Sequence, residues 1–214
     1  MKKVLIFGAS GFLGSDLVAA LLGQGHQVTA ITRSYDADNL DKFDPRVKWV
    51  QADLYQADQW QDLLDQTDVV IDLVGSIRED PEKGLTYQHV IVDAAQVIAK
   101  TTQALKPQAK MIFVSSNLDA TSTPEGYRQA KAEAETLIKS YLEDVVIIRP
   151  TMMYGPGRQG TTERAMAIQD KMDPNSPAWD HRPVPVAKVA QTIQEVVTKG
   201  KTQAVYEVKD MDKE

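Results

Sequence analysis

Tyr127 and Lys131 stand four residues apart in the run Tyr127-Arg128-Gln129-Ala130-Lys131, a spacing that puts both side chains on one face of a helix. A tyrosine hydroxyl with its ordinary pKa of about 10 is a poor acid–base group at neutral pH. An ammonium beside it favours the phenolate and lowers that value, so the pair is a candidate for proton transfer. The lysine has a second use in holding the ribose of a nicotinamide nucleotide. Ser115 and Ser116 close an apolar run upstream. A hydroxyl at such a strand end can hydrogen-bond a substrate carbonyl while Tyr127 moves the proton, and Ser116 is the stronger candidate of the two.

The other chemically pointed run is Gly8-Ala9-Ser10-Gly11-Phe12-Leu13-Gly14, which follows the apolar Val4–Phe7 and opens an apolar helical stretch. Gly8 lets the chain turn off the strand. Gly11 lets a pyrophosphate approach the backbone, and Gly14 lets the helix pack close to the sheet. The helix start then offers free N–H groups and a partial positive charge to phosphates. Its place between strand and helix makes this pattern a dinucleotide-binding fingerprint.

Around these residues, apolar runs alternate with amphipathic stretches, which predicts βαβ units and a parallel sheet. Strands are expected at Val4–Phe7, Gln27–Ile31, Val47–Val50, Asp68–Val74, Lys110–Ser115, Val145–Ile148 and Ala204–Val208. Helices are expected near Ser15–Leu22, Gln59–Leu64, Leu85–Leu105, Glu125–Tyr141 and Lys188–Thr198. Asp68–Val74 is nearly all apolar, as for a strand buried on both faces. The expected fold class is α/β: one domain over residues 1–214, a Rossmann-type doubly wound parallel sheet. Residues 154–185, with the Gly155-Pro156-Gly157 turn and a proline-rich stretch lacking periodicity, are expected to form a small C-terminal substrate lobe or lid.

Composition narrows the classes. With 214 residues, 43% of them hydrophobic, the chain supports one sizeable core. A net charge of −6 disfavours nucleic acid and anionic membranes as partners. Cysteine is absent, which removes disulfides and thiolate chemistry and fits a reducing compartment. The apolar run after Met1-Lys2-Lys3 is too short for a signal peptide, no stretch is long enough to span a bilayer, and a cytoplasmic location is expected. His26, His89 and His181 lack metal-ligand spacing, so no metal is expected. His26 reads as a helix cap and Trp49 and Trp60 as ordinary packing residues. Trp179 is the one tryptophan suspected of facing substrate.

GASGFLG at Gly8–Gly14, Asp53-Leu54, DLVG at Asp72–Gly75, VSS at Val114–Ser116, YRQAKAEAE at Tyr127–Glu135 and RPTMMYGPG at Arg149–Gly157 occur in that order. Together they resemble the short-chain dehydrogenase/reductase superfamily in its extended and atypical branches. Within these, the chain is similar to the complex I accessory-subunit proteins and the nucleoside-diphosphate-sugar epimerases. The resemblance runs from Lys3 to about Gly157 and returns weakly at Pro183–Ile193. It implies that Gly8, Ser10, Gly11 and Gly14 surround a pyrophosphate, with backbone N–H groups from Phe12 and Leu13. It implies that Asp53 accepts from the adenine amino group beside Leu54, and that Val74 and Gly75 line the adenosine ribose side. Lys131 would bind the nicotinamide ribose, Pro150, Thr151 and Met152 would meet the carboxamide through backbone groups, and Tyr127 would be the acid–base residue. There are two departures. Ile91-Val92-Asp93-Ala94-Ala95 stands where related enzymes often carry an asparagine in an N-V-x-G-T run. Fewer residues follow Tyr154 than the large C-terminal domain of the extended enzymes needs.

The end of the second strand, Ile31-Thr32-Arg33-Ser34, lacks the acid that binds an NAD ribose diol. Arg33 can pair with a 2′-phosphate or stack on adenine, which favours NADP, with NAD as the alternative through Asp36. The expected function is an NAD(P)-dependent oxidoreductase acting on a small carbonyl or alcohol, with a homo-oligomer as an open option. One alternative is a cofactor-binding regulator or assembly factor with little catalysis, which Ile91 favours. The other is a sugar-nucleotide epimerase or dehydratase, against which the short C-terminal region counts.

Overall fold

The computed structural model describes residues 1–35, 43–121 and 123–211. In chain order its elements are β1 (Lys3–Phe7), α1 (Phe12–Gly23), β2 (Gln27–Thr32), β3 (Lys48–Gln51), β4 (Val69–Asp72), α2 (Ala94–Leu105), β5 (Lys110–Val114), α3 (Glu125–Tyr141), β6 (Val145–Arg149), β7 (Met153–Tyr154), α4 (Gln159–Gln169), β8 (Val184–Pro185), α5 (Val186–Lys199), β9 (Val205–Glu207) and α6 (Val208–Met211).

Strand residues alternate between two buried faces, so the central strands are apolar on both. Val4 and Ile6 of β1 join α1 and α5 in one core, while Leu5 and Phe7 join α2 and α3 in the other. The sheet order is β3-β2-β1-β4-β5-β6-β9, parallel throughout. The chain winds outward from β1 through β2 and β3, then returns to lay β4 on the other side of β1. That reversal opens a crevice at the carboxyl ends of β1 and β4. Phe7, Asp72 and Phe113 lie side by side in register there. This is the doubly wound α/β architecture expected. Residues 153–154 and 184–185 add a separate two-stranded parallel ribbon, β7–β8.

α3 has the span expected. α1 begins at Phe12, earlier than expected, because Gly11 is its N-cap and Gly11 O already accepts from Ser15 N. The stretch expected as a helix from Leu85 opens instead as a π-helical turn, Gln88–Asp93, before α2 begins at Ala94. Gln59–Leu64 falls in two 3₁₀ turns, Ala57–Gln59 and Gln61–Gln66. Between them Trp60 is buried edge-on against Phe7, its indole N–H donating to Leu54 O. α4 was not foreseen: only Ala165 is buried on it, and Met166 and Ile168 are exposed, so it carries no apolar stripe. Among the described residues, no helix is long and apolar enough to cross a membrane.

Candidate functional site

The glycine turn sits at the crevice. Gly8 adopts φ +85, and a Cβ there would come 3.2 Å from the Leu73 backbone after β4. Gly14 is where the helix meets its own turn: a Cβ there would lie 2.2 Å from Ala9 O, so no larger residue fits. Gly11 is exposed, and the first turn of α1 carries no acidic side chain. Its leading N–H groups, Phe12 and Leu13 among them, are the ones a helix leaves without partners. Arg158 stacks its guanidinium on the Phe12 ring at 4.2 Å, which brings the Gly155-Pro156-Gly157 turn beside the glycine turn. The sequence reading passed over Arg158, although it directly follows that turn.

From Gly8 a line of contacts leads to the tyrosine–lysine pair. Leu73 N donates to Phe7 O. Two residues on, Gly75 adopts φ +153, and a Cβ there would come 3.2 Å from Lys131 Nζ. Lys131 is fully buried, donates to Val114 O at 2.7 Å, and lies 4.5 Å from the Phe113 ring centre and 5.9 Å from that of Tyr127. Burial lowers its pKa to about 8, against the opposing pull of Asp72 and Glu135. Asp72 is buried as well: Oδ1 accepts from Val74 N at 2.8 Å and Oδ2 has no hydrogen-bond partner among the described residues. Burial raises the Asp72 carboxyl to about 6.

The expected lowering of the Tyr127 pKa is not found. Burial, with a smaller contribution from Tyr87, pushes the phenol up to about 12. The Tyr87 ring packs edge-on against Tyr127 at 5.7 Å, and its own hydroxyl is tied to Ile77 O. Lys131 shares the helix face as expected, but its ammonium points at a carbonyl. The Tyr127 hydroxyl makes no hydrogen bond among the described residues.

The two serines differ. Ser115 Oγ donates to Glu135 Oε1 within a buried brace. Arg149 grips both oxygens of Glu135 at 2.9 and 2.6 Å and reaches Glu207 at 3.1 Å, tying α3 to β6 and β9. Ser116 Oγ is buried and has no hydrogen-bond partner among the described residues.

Arg33, Asp53 and Pro150–Met152 lie just past the carboxyl ends of β2, β3 and β6. Arg33 is exposed at the end of β2. Asp53 accepts from Tyr55 N and Gln56 Nε2, beside the buried Leu54. Pro150 O accepts from Asn117 N and Met152 O from Val184 N, while the Thr151 hydroxyl donates to Arg182 O. Asp36 lies outside the described residues. Trp179 is half-buried with the Arg182 guanidinium 5.1 Å from its ring. His26 N closes α1 on Leu21 O, and its ring, lowered in pKa by burial, joins Lys2 N to Thr198. Tyr87 was not singled out from sequence, and Asp72 was noted only within DLVG, with no role of its own. An aspartate in an otherwise apolar strand was the available signal for Asp72.

The model of the NAD dependent epimerase/dehydratase family matches residues 4–172. The NADH-ubiquinone oxidoreductase 40 kDa subunit, mitochondrial, of Neurospora crassa is 27% identical over 196 residues, covering 90% of this chain and 51% of that protein. Ceramide reductase of Caulobacter vibrioides is 30% identical over 156 residues, covering 72% of this chain and 47% of that protein. The chain thus spans about half the length of these curated relatives. Among solved structures, the Bordetella bronchiseptica enzyme WbmF in complex with NAD+ shares the fold at a TM-score of 0.69 and 19% identity, over 97% of this chain and 72% of WbmF.

Proposed function

The chain belongs to the NAD dependent epimerase/dehydratase family, and from that premise we propose that it binds a nicotinamide dinucleotide at the carboxyl edge of the sheet and acts as an oxidoreductase on a small carbonyl or alcohol. One observation carries the reading: Tyr127, Lys131 and the unpartnered Ser116 hydroxyl stand where β5 ends, linked through Gly75 and Leu73 to the glycine turn. The residues fit the cofactor. Gly11 leaves backbone open at the acid-free start of α1, where a pyrophosphate is favoured. Lys131 keeps donors beyond the one spent on Val114 O for a ribose. Arg33 favours the 2′-phosphate of NADP, with NAD as the alternative.

A bound nicotinamide supplies or accepts the hydride. In the reducing direction Ser116 Oγ donates to the substrate carbonyl oxygen. Tyr127 gives its proton to the developing alkoxide, and the phenolate left behind faces the Lys131 ammonium, 5.9 Å from the ring centre and turned to Val114 O until substrate and cofactor bind. Residues 154–185 flank this edge as the substrate lobe, with Arg158 on Phe12 at the boundary between cofactor and substrate.

A second reading is a cofactor-binding accessory protein with little catalysis. The raised phenol of Tyr127 and the buried Ile91 favour it, as does the similarity to a respiratory subunit. Cofactor affinity and carbonyl turnover in native, Tyr127→Phe and Lys131→Met proteins separate the two. The oxidoreductase reading expects Tyr127→Phe to keep cofactor affinity and lose roughly 10²–10⁴-fold in turnover, and Lys131→Met to lose both. Native turnover by Tyr127→Phe on a true substrate overturns the mechanism. Cofactor binding with no turnover on a broad carbonyl panel supports the accessory role.

A further inference from the structure

Asp72 is the last residue of β4, directly beside the crevice at β1, and is flanked in register by Phe7 and Phe113. Both neighbours are buried and apolar, and Asp72 is itself only 1% exposed. A carboxylate in such a place needs a partner, because isolated buried charge is costly. One oxygen takes the Val74 N–H; the other has no hydrogen bond. The buried cation on the same side of the sheet is Lys131: its Nζ lies 4.5 Å from the ring of Phe113, the register neighbour of Asp72, without a direct ion pair to Asp72 among the described residues. The loop leaving Asp72 folds over the ammonium at Gly75, and the carbonyl of Val114 holds it from the β5 side. From the π-helical turn, the face against Gly75 is the apolar Ile91.

We propose that Asp72 is the counter-charge of Lys131, whose ammonium Val114 O holds in place beneath the Gly75 turn. The other titratable groups facing Lys131 are Glu135 and Tyr127, both on α3, and Tyr55 faces Asp72. Glu135 is committed to Ser115 and Arg149, which leaves Asp72 as the acid free to respond to the lysine. The inference deepens the proposed reading of the site, since Lys131 is the residue assigned there to the ribose and to the phenol.

The test is a pH titration of the full chain by NMR with no cofactor present. The Cε signal of Lys131, labelled with ¹³C and assigned by its loss in Lys131→Met, is followed in native protein and in Asp72→Asn, which keeps an acceptor for Val74 N–H. Removing the charge is expected to lower the Lys131 midpoint by about one pH unit or more, the scale of a close opposite charge. An unchanged midpoint overturns the proposal. If Asp72→Asn does not fold, the coupling is read from the other side. In Lys131→Met the ¹³C-carboxyl midpoint of Asp72 should rise by a similar amount, because the interaction of two titrating sites is reciprocal. An Asp72 midpoint that stays in place also overturns it. Failure of cofactor binding leaves this result standing, and a cofactor-binding protein whose Lys131 ignores Asp72 refutes this inference alone.

Discussion

Ser115 Oγ donates a 2.6 Å hydrogen bond to Glu135 Oε1, with both side chains buried. The neighbouring Ser116 Oγ, also withdrawn from solvent, has no hydrogen-bond partner among the described residues. Adjacent serines at the end of one strand therefore have opposite relations to the fold. Ser115 completes the brace that joins α3 to β6, and Ser116 leaves an unspent donor at the crevice.

The two alanine variants should separate accordingly. Ser115→Ala strips a charge-assisted bond from a buried carboxylate and is expected to destabilise the fold by about 1–3 kcal/mol. Ser116→Ala removes a hydroxyl that bonds to nothing, so its effect on unfolding should stay within about 1 kcal/mol. If Ser116 donates to the substrate carbonyl, its loss costs roughly 10²-fold in turnover, the scale of one lost oxyanion donor. Urea unfolding and turnover measured side by side decide the matter. Equal destabilisation by both variants contradicts the assignment.

Gly14 and Gly23 provide a contrast within one helix. A methyl at Gly14 meets backbone atoms of Ala9 at 2.2–2.6 Å, which cannot swing aside as a side chain can. Gly14→Ala should cost about 3 kcal/mol or more, by forcing α1 off its turn. A methyl at Gly23 meets nothing within 4 Å, and Gly23→Ala should stabilise by up to about 1 kcal/mol through the higher helix propensity of alanine. Thermal melts that fail to rank native between the two refute this account of the turn.

The parallel sheet was legible because strands buried on both faces read as apolar runs, and the glycine turn because only glycine suits its close approaches. α3 was legible end to end, its start marked by Pro124 and its apolar face by Ala130, Ala134 and Ile138. What escaped was set by long-range contact. The π-helical turn at Gln88–Asp93 has no residue signature, and α4 has no apolar stripe to announce it. The pairing of Ser115 with Glu135 spans 20 residues. The Tyr127 phenol was misjudged because spacing along a helix gives proximity to a lysine but not the direction of its ammonium, which Val114 O takes, nor the burial that dominates the phenol.

Arg33 tests cofactor choice. It is exposed at the end of β2, in the place from which a ribose 2′-substituent is read. Arg33→Ala should weaken NADPH binding by about 1–3 kcal/mol, as for a charge-assisted hydrogen bond, and leave NADH binding nearly unchanged. Fluorescence titration with both nucleotides measures this. Equal affinity of the native chain for NADH and NADPH contradicts the NADP preference.

The Asp72–Lys131 couple also has a consequence for stability against pH. Burial holds Asp72 at about 6 instead of 3.8, so the folded chain keeps a proton there that the unfolded chain has lost, and stability falls as pH rises from about 4 to 6. Burial holds Lys131 at about 8 instead of 10.5, so above pH 8 the unfolded chain binds the extra proton, and stability rises from about pH 8 to 10.5. The couple's contribution is therefore least favourable between about 6 and 8, where both groups are charged and buried. Replacing it with a neutral pair, Asp72→Asn with Lys131→Met, should flatten the profile and raise stability at neutral pH by about 1–4 kcal/mol, as for other buried ion pairs exchanged for packed neutral groups. Urea unfolding at pH 5, 7 and 9 reads the outcome. A double variant that keeps the native pH dependence shows that the dependence arises from other groups, and one less stable than native at pH 7 shows that the two charges strengthen the fold. The physical reason for an aspartate inside this strand would then be structural, with no need for a role toward the ribose or the phenol.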